Sequence, residues 1–147
     1  MLDISVASSR LHIPPEHFAR RPQFRGGTLI DTGTAYSGII QPPTKSWNKH
    51  SYHNLTRIHR EDFNLCYQRS TVRKEGYINL PTITFHLRGA DLLLQPQAAF
   101  FVDLTGQSDR RDDDTVIGAY QQTNQRFMYD LDRRTLRFGP EDCSRTP

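Results

Sequence analysis

Cysteine is scarce in this chain. Cys66 and Cys143 are the whole complement in 147 residues, which excludes a disulfide-stapled scaffold and leaves one bridge, two half-bridges to partners elsewhere, or two free thiols. No Cys pair stands beside His50, His53 or His59, so a zinc knuckle is excluded. No apolar run approaches the roughly 18 residues that a membrane helix needs, and no membrane association is expected. No apolar segment follows Met1, where Asp3 arrives at once, so the stretch reads as lacking a signal peptide. Basic residues are not collected on any one element. The net charge is +3 and the pI about 9.1, but Arg20, Arg21, Arg25, Arg57, Arg60, Arg69, Arg73, Lys74, Arg133 and Arg134 are scattered among acids. They read as solvated surface, and no nucleic-acid partner is expected.

Apolar residues are also sparse, at 35% with a mean hydropathy of −0.68. With 9 Gly and 9 Pro, the composition is that of a turn-rich β protein, and the length suits one domain with its own core. Leu2, Ile4 and Val6 alternate with Asp3, Ser5 and Ala7, the period of a strand. Ser8-Ser9-Arg10 then turns it back toward Leu11 and Ile13. Pro14 to Phe18 reads as a short single-turn connection, and Pro42 to Trp47 as the start of a short helix. Further strands are expected at Phe63–Tyr67, Thr82–Leu87, Leu92–Leu94 after a Gly89-Ala90-Asp91 turn, Ala98–Leu104 and Thr115–Tyr120. Arg126–Leu131 and Thr135–Gly139, joined by Asp132-Arg133-Arg134, form the clearest hairpin. The fold class is all-β with one or two short helices.

The chemistry concentrates in Gly26-Gly27-Thr28-Leu29-Ile30-Asp31-Thr32-Gly33-Thr34-Ala35-Tyr36. Thr28, Leu29 and Ile30 have strand character and deliver Asp31 into a turn. Gly33 lets the backbone turn where a Cβ would clash. Thr32 and Thr34 place hydroxyls within reach of the carboxylate or a neighbouring loop. A carboxylate held this way and set against a second one shares a proton with it, because two like charges a few ångströms apart do not both ionise. The bland alternative for Asp-Thr-Gly alone is an Asx-type turn at a strand end. Asp112-Asp113-Asp114 lacks the Gly and downstream Glu of a calcium loop and reads as a solvated charged stretch, so no metal is expected. His12, His17 and His86 have no paired acid at a useful spacing and read as surface or core residues. Asn54-Leu55-Thr56 is a glycosylation sequon at Asn54.

Five segments in order carry a family resemblance: Gly27 to Thr34; Phe63-Asn64-Leu65-Cys66-Tyr67; Leu80-Pro81-Thr82-Ile83-Thr84-Phe85-His86; Ile117 to Leu131; and Phe138-Gly139-Pro140-Glu141-Asp142-Cys143. Together they resemble the C-terminal lobe of plant pepsin-like aspartic proteases of the nepenthesin type, a group that also contains inactive xylanase-inhibitor proteins. The resemblance covers nearly all of residues 1–147 and implies a single lobe of a bilobal all-β acid protease. Asp31 then matches the second catalytic aspartate, Thr32 the residue that braces the two active-site loops, Gly33 the turn glycine and Thr34 the hydroxyl that holds the carboxylate. Val116-Ile117-Gly118 resembles the apolar-apolar-glycine segment that completes the core motif behind the site. Tyr36 is a candidate for lining the substrate pocket or for packing beside it. Such an enzyme takes a peptide or protein substrate and no cofactor, and the full-length protein is extracellular or vacuolar.

The departures from the pattern define the expectations. One Asp-Thr-Gly is present, so the N-terminal lobe and its flap are missing, and half a dyad does not run the reaction. Gln107–Asp114 stands where the family has a Cys-Leu-Ala strand, which leaves Cys66 without the partner the resemblance implies. The segment after Trp47 is short. Three functions follow: a protease lobe completed by a missing N-terminal half, an inactive binding protein of the xylanase-inhibitor type, and a single-lobe protease formed by two copies of the chain.

Overall fold

The computed structural model describes residues 1–22, 26–39, 56–60, 63–68, 80–100 and 115–145. Among them run ten strands: β1 (Asp3–Val6), β2 (Ser9–Arg10), β3 (Thr28–Asp31), β4 (Thr56–Arg60), β5 (Phe63–Gln68), β6 (Ile83–Leu87), β7 (Ala90–Leu94), β8 (Thr115–Gly118), β9 (Gln125–Asp130) and β10 (Thr135–Pro140). One α-helical turn, Pro96–Ala99, and 3₁₀ turns at Pro15–Phe18 and Ala119–Gln122 complete them. The all-β expectation with short helices holds.

A four-stranded antiparallel sheet runs in the order β2-β1-β6-β7. Its register places Ile4 opposite Phe85, Val6 opposite Ile83, and Leu92 and Leu94 opposite Phe85 and Ile83. These six side chains form one face and, with Leu11, Ile13, Phe18 and Ile117, the buried core. Each fully buried aliphatic or aromatic side chain contributes about 1.5–3 kcal/mol, so this face is the main stabilising surface of the lobe.

The opposite face of the sheet corrects the simple alternation expected for β1, because all four residues Asp3–Val6 are buried. The polar ones are satisfied where they sit. Asp3 Oδ1 accepts the N–H of Ile4 (2.8 Å) and of Ile13 (3.0 Å), and Oδ2 lies 3.1 Å from Arg10 Nε. Ser5 Oγ lies 2.7 Å from His86 Nε2, and His86 Nδ1 lies 2.8 Å from Asp91 Oδ1. A carboxylate only accepts, so Nδ1 carries a proton, and in the neutral ring Nε2 then accepts from the Ser5 hydroxyl. His86 therefore has the acid partner the sequence reading denied it. The β6–β7 register brings Asp91 directly opposite His86, a pairing invisible without knowing the turn. Replacing His86 by alanine strands the buried Ser5 hydroxyl and is expected to lower stability by about 1–3 kcal/mol, read by denaturant unfolding; a loss under about 0.3 kcal/mol would show the contact contributes nothing.

Several boundaries differ from expectation. Ser9 and Arg10 belong to β2, and the turn falls on Ala7-Ser8, with Ala7 at φ 51. The second turn falls on Arg88-Gly89, with Gly89 at φ 88, so Ala90 and Asp91 are already strand. Ala98 and Ala99 are helical where a strand was expected, because Pro96 starts a helical turn and alanine has the best helix propensity. β4 is a strand with no expected counterpart, paired antiparallel with β5. The Pro42–Trp47 helix start, residues 101–104 of the expected strand, the Gln107–Asp114 stretch and Asn54 lie outside the described residues.

The expected terminal hairpin is present, with Phe127 opposite Phe138 at 5.8 Å between ring centroids, both packed on the core. Its turn is fastened by Asp130, whose Oδ1 accepts the Arg133 N–H (2.9 Å) while Oδ2 accepts from Arg133 Nη1 (3.0 Å). The Arg133 backbone N–H, then its guanidinium, hold the Asp130 carboxyl below its ordinary range. A depressed folded value means that the carboxylate's contribution is complete above the unfolded value of about 3.9 and is lost as pH falls through the folded one. The Arg133 amide resonance is thus expected to stay constant from neutral pH down to about pH 4 and to move only below it. Movement at higher pH would contradict the contact.

Candidate active site

β3 and β8 pair in parallel, with Leu29 beside Val116, Ile30 beside Ile117 and Asp31 beside Gly118. The strand β8 is central: Gly38 closes its other side through two backbone bonds with Val116, at 3.0 and 2.8 Å. The chain leaving Asp31 therefore loops round and returns along β8. Ala119 N–H donates to Thr34 O (2.8 Å) and Tyr120 N–H to Ala35 O (3.0 Å). Val116 and Ile117 are buried, Ile117 completely. Gly118 passes so close to the loop that a Cβ there would lie 2.6 Å from the Tyr36 carbonyl carbon and 2.8 Å from the oxygens of Thr34 and Tyr36. A backbone passing this close leaves no room for a side chain, which is the physical reason for a glycine in the apolar-apolar-glycine segment that the resemblance singles out.

Asp31 ends β3 at the surface. Its Oδ1 accepts the Gly33 N–H at 2.8 Å, and its Oδ2 accepts the Thr34 hydroxyl at 2.6 Å. Both oxygens are thereby oriented, one by backbone and one by side chain. A Cβ on Gly33 would sit 3.2 Å from Oδ1, so the glycine keeps the carboxylate in contact with its own turn. Thr32 is exposed, and its hydroxyl has no partner among the described residues. Leu29, two residues before Asp31 and so on the same side of the strand, is 52% exposed. The site face is thus an apolar and carboxylate surface left open. Tyr36 is half-buried against Tyr120, with ring centroids 5.9 Å apart. Tyr120 in turn donates its hydroxyl to Phe100 O (3.2 Å).

Two residues behind the loop belong to the site although no sequence motif marks them. Ser37 and Gln121 are joined by hydrogen bonds of 2.7 and 2.9 Å. The signal in the sequence is weak, because a serine in a loop and a glutamine among glutamines have no distinguishing pattern. Cys143 is a free, exposed thiol, its Sγ 3.9 Å from Glu141 O, whereas the Cys66 side chain lies outside the described residues. Ser5, His86 and Asp91 have the hydrogen-bond order of a Ser-His-Asp triad, but Ser5 is 8% exposed and lies mid-strand between β2 and β6. An acyl substrate has no route to that hydroxyl, and the three side chains serve the sheet. Among the described residues no three His, Cys, Asp or Glu side chains converge on a metal position, and no helix is long and apolar enough to cross a membrane.

A parallel strand pair threaded by a returning loop thus presents an aspartate at its exposed end, and comparison with known proteins sets this lobe beside the C-terminal lobes of plant pepsin-like aspartic proteases. Residues 1–140 match the family described as xylanase inhibitor C-terminal, and the chain belongs to that family. It is 28% identical over 156 residues to Aspartyl protease family protein 2 of Arabidopsis thaliana, covering 98% of this chain and 31% of that protein. It is 26% identical over 166 residues to Aspartic proteinase PCS1 of the same organism, covering 95% of this chain and 37% of that protein. The chain thus spans about a third of the length of these relatives. The crystal structure of edgp superposes with a TM-score of 0.70 at 16% identity, over 95% of this chain and 38% of that one, a likeness of fold.

Proposed function

We propose that residues 1–147 are a single C-terminal lobe, of the nepenthesin type, that supplies one of the two aspartates of an aspartic endopeptidase. The observation that carries this reading is Asp31 at the exposed end of β3, with one oxygen held by the Gly33 N–H and the other by the Thr34 hydroxyl. In the assembled enzyme a second carboxylate faces Asp31 and the pair shares a proton. The ionised member takes a proton from a water, which attacks the peptide carbonyl, and the protonated member donates to the carbonyl oxygen. The tetrahedral intermediate then collapses with proton transfer to the leaving amine. Thr32 braces the opposite loop, and the open surface beside Leu29 receives the N-terminal lobe. Tyr36, beside the Asp31 turn, lines the wall against which a peptide substrate lies. The names of the two relatives, both called aspartic proteases, support this role, and an extracellular or vacuolar setting accords with it.

The test is proteolysis of reduced, alkylated casein at acid pH by the longer precursor in which an N-terminal lobe precedes this chain. Cleavage that is blocked by a pepstatin-type inhibitor is the expected result. Its absence in a folded precursor favours a second reading, an inactive protein that binds polysaccharide-degrading enzymes, which the description of the matched family supports. That reading predicts retention on an immobilised xylanase instead.

A further inference from the structure

We propose that Ser37 and Gln121 form a positioning clamp that holds the loop after Asp31 and, through Thr34, sets the orientation of the Asp31 carboxylate. The inference rests on Asp31 being the reacting carboxylate and assigns the residues that regulate its geometry without touching substrate.

The loop lies along the stretch from Val116 to Tyr120 by a series of backbone bonds: Gly38 with Val116, Ala119 with Thr34, and Tyr120 with Ala35. The series is interrupted at Gly118, whose N–H donates to Ser37 Oγ (2.9 Å) rather than to a carbonyl. Gly118 is also where the two segments approach most closely. The Ser37 hydroxyl in turn donates to Gln121 Oε1 (2.7 Å), which also accepts the Ser37 N–H (2.9 Å). The other end of that amide, Nε2, donates to Ala98 O (3.1 Å). Gln121 is 7% exposed, so its polar atoms are held by these partners rather than by bulk water. One buried amide therefore joins the Asp31 loop, the 3₁₀ turn after β8 and the helical turn Pro96–Ala99.

The consequence at the site follows from connectivity. Thr34 stands at the near end of the clamped segment, its carbonyl fixed by Ala119 and its hydroxyl on Asp31 Oδ2. If Ser37 lets go, Gly118 loses its acceptor and the segment can lift from β8. The Thr34 hydroxyl and the Gly33 N–H then lose their aim at the carboxylate. Hydrogen bonds to an ionised carboxylate favour that form, so loosening them makes protonation easier.

The Gly33 amide is a direct reporter, because it donates to Asp31 Oδ1 and its NMR shift follows the protonation of that group. The experiment titrates this resonance in the purified 147-residue chain carrying Ser37→Ala, Ser37→Thr or Gln121→Met, with Arg126→Ala as a surface control. The titration midpoint is expected to rise by about half a pH unit or more in Ser37→Ala and Gln121→Met. It is expected to stay at the wild-type value in Ser37→Thr, which keeps the hydroxyl, and in Arg126→Ala. Midpoints unchanged in the folded alanine and methionine variants overturn the clamp, as does an equal rise in the threonine variant or the control. Should Gln121→Met not fold, Ser37→Ala and Ser37→Thr decide alone. The readout needs no proteolysis, so a failed clamp leaves the protease reading standing, and an inactive precursor leaves the clamp testable.

Discussion

Replacing Gly118 with alanine is expected to destabilise the lobe by about 3 kcal/mol or more, at the upper end of overpacking costs, and to lower its melting temperature by about 10 °C. The atoms a Cβ would meet are all backbone: the carbonyl carbon and oxygen of Tyr36 and the oxygen of Thr34, at 2.6 to 2.8 Å. A side chain can rotate away from an intruding methyl, but these atoms are tied into the bonds that lay the loop on β8. Relief requires lifting the loop, which strands the N–H groups of Ala119 and Tyr120. Gly139 is the matched control, because nothing lies within 4 Å of a Cβ placed there. Gly139→Ala is expected to melt within about 2 °C of wild type. Thermal unfolding followed by circular dichroism separates the two, and a Gly118→Ala protein that melts like the control would refute the threaded arrangement.

The second large effect is chemical. In the assembled protease, Asp31→Asn is expected to lower kcat by about a thousandfold or more, since the amide neither ionises nor shares a proton and both general acid and general base work fail. The fold should be nearly unaffected. Asp31 is exposed at the strand end, an asparagine oxygen still accepts the Gly33 N–H, and the Thr34 hydroxyl can turn to accept from the amide. Melting within about 2 °C of wild type alongside the lost turnover identifies a role in chemistry. An equal loss of stability would make Asp31 a structural residue. Thr34→Ala removes the hydroxyl donor to Asp31 Oδ2, and a loss of about tenfold in kcat with KM little changed is expected, the size of one misaligned contact.

What the sequence disclosed depended on whether the cause was local. The aspartate turn and the hairpin at Phe127 and Phe138 each follow from a few adjacent residues, and each stands where expected, whereas the close approach of Gly118 to Thr34 and Tyr36 spans more than 80 positions and is implied only by the family resemblance. The Ser5–His86–Asp91 line joins residues up to 86 positions apart and appears only when β1, β6 and β7 are in register. The same holds for Ser37 and Gln121, which are 84 residues apart. Alternation also misled at Asp3, whose outward polar character is reversed because Arg10 and the Ile13 backbone supply partners. At Ala98 and Ala99 two good helix formers after Pro96 outweigh a strand-like neighbourhood.

On the protease reading the lobe holds one properly oriented aspartate and is silent without a second carboxylate. That is tested most directly by incubating the purified chain alone with an unstructured protein substrate from about pH 3 to pH 7, the range over which a shared-proton dyad titrates, while sedimentation reports its mass. A monomer that cleaves nothing at any pH is the predicted result. A dimer with acid activity that disappears in Asp31→Asn would contradict the account, because two copies of the chain would then build the dyad themselves.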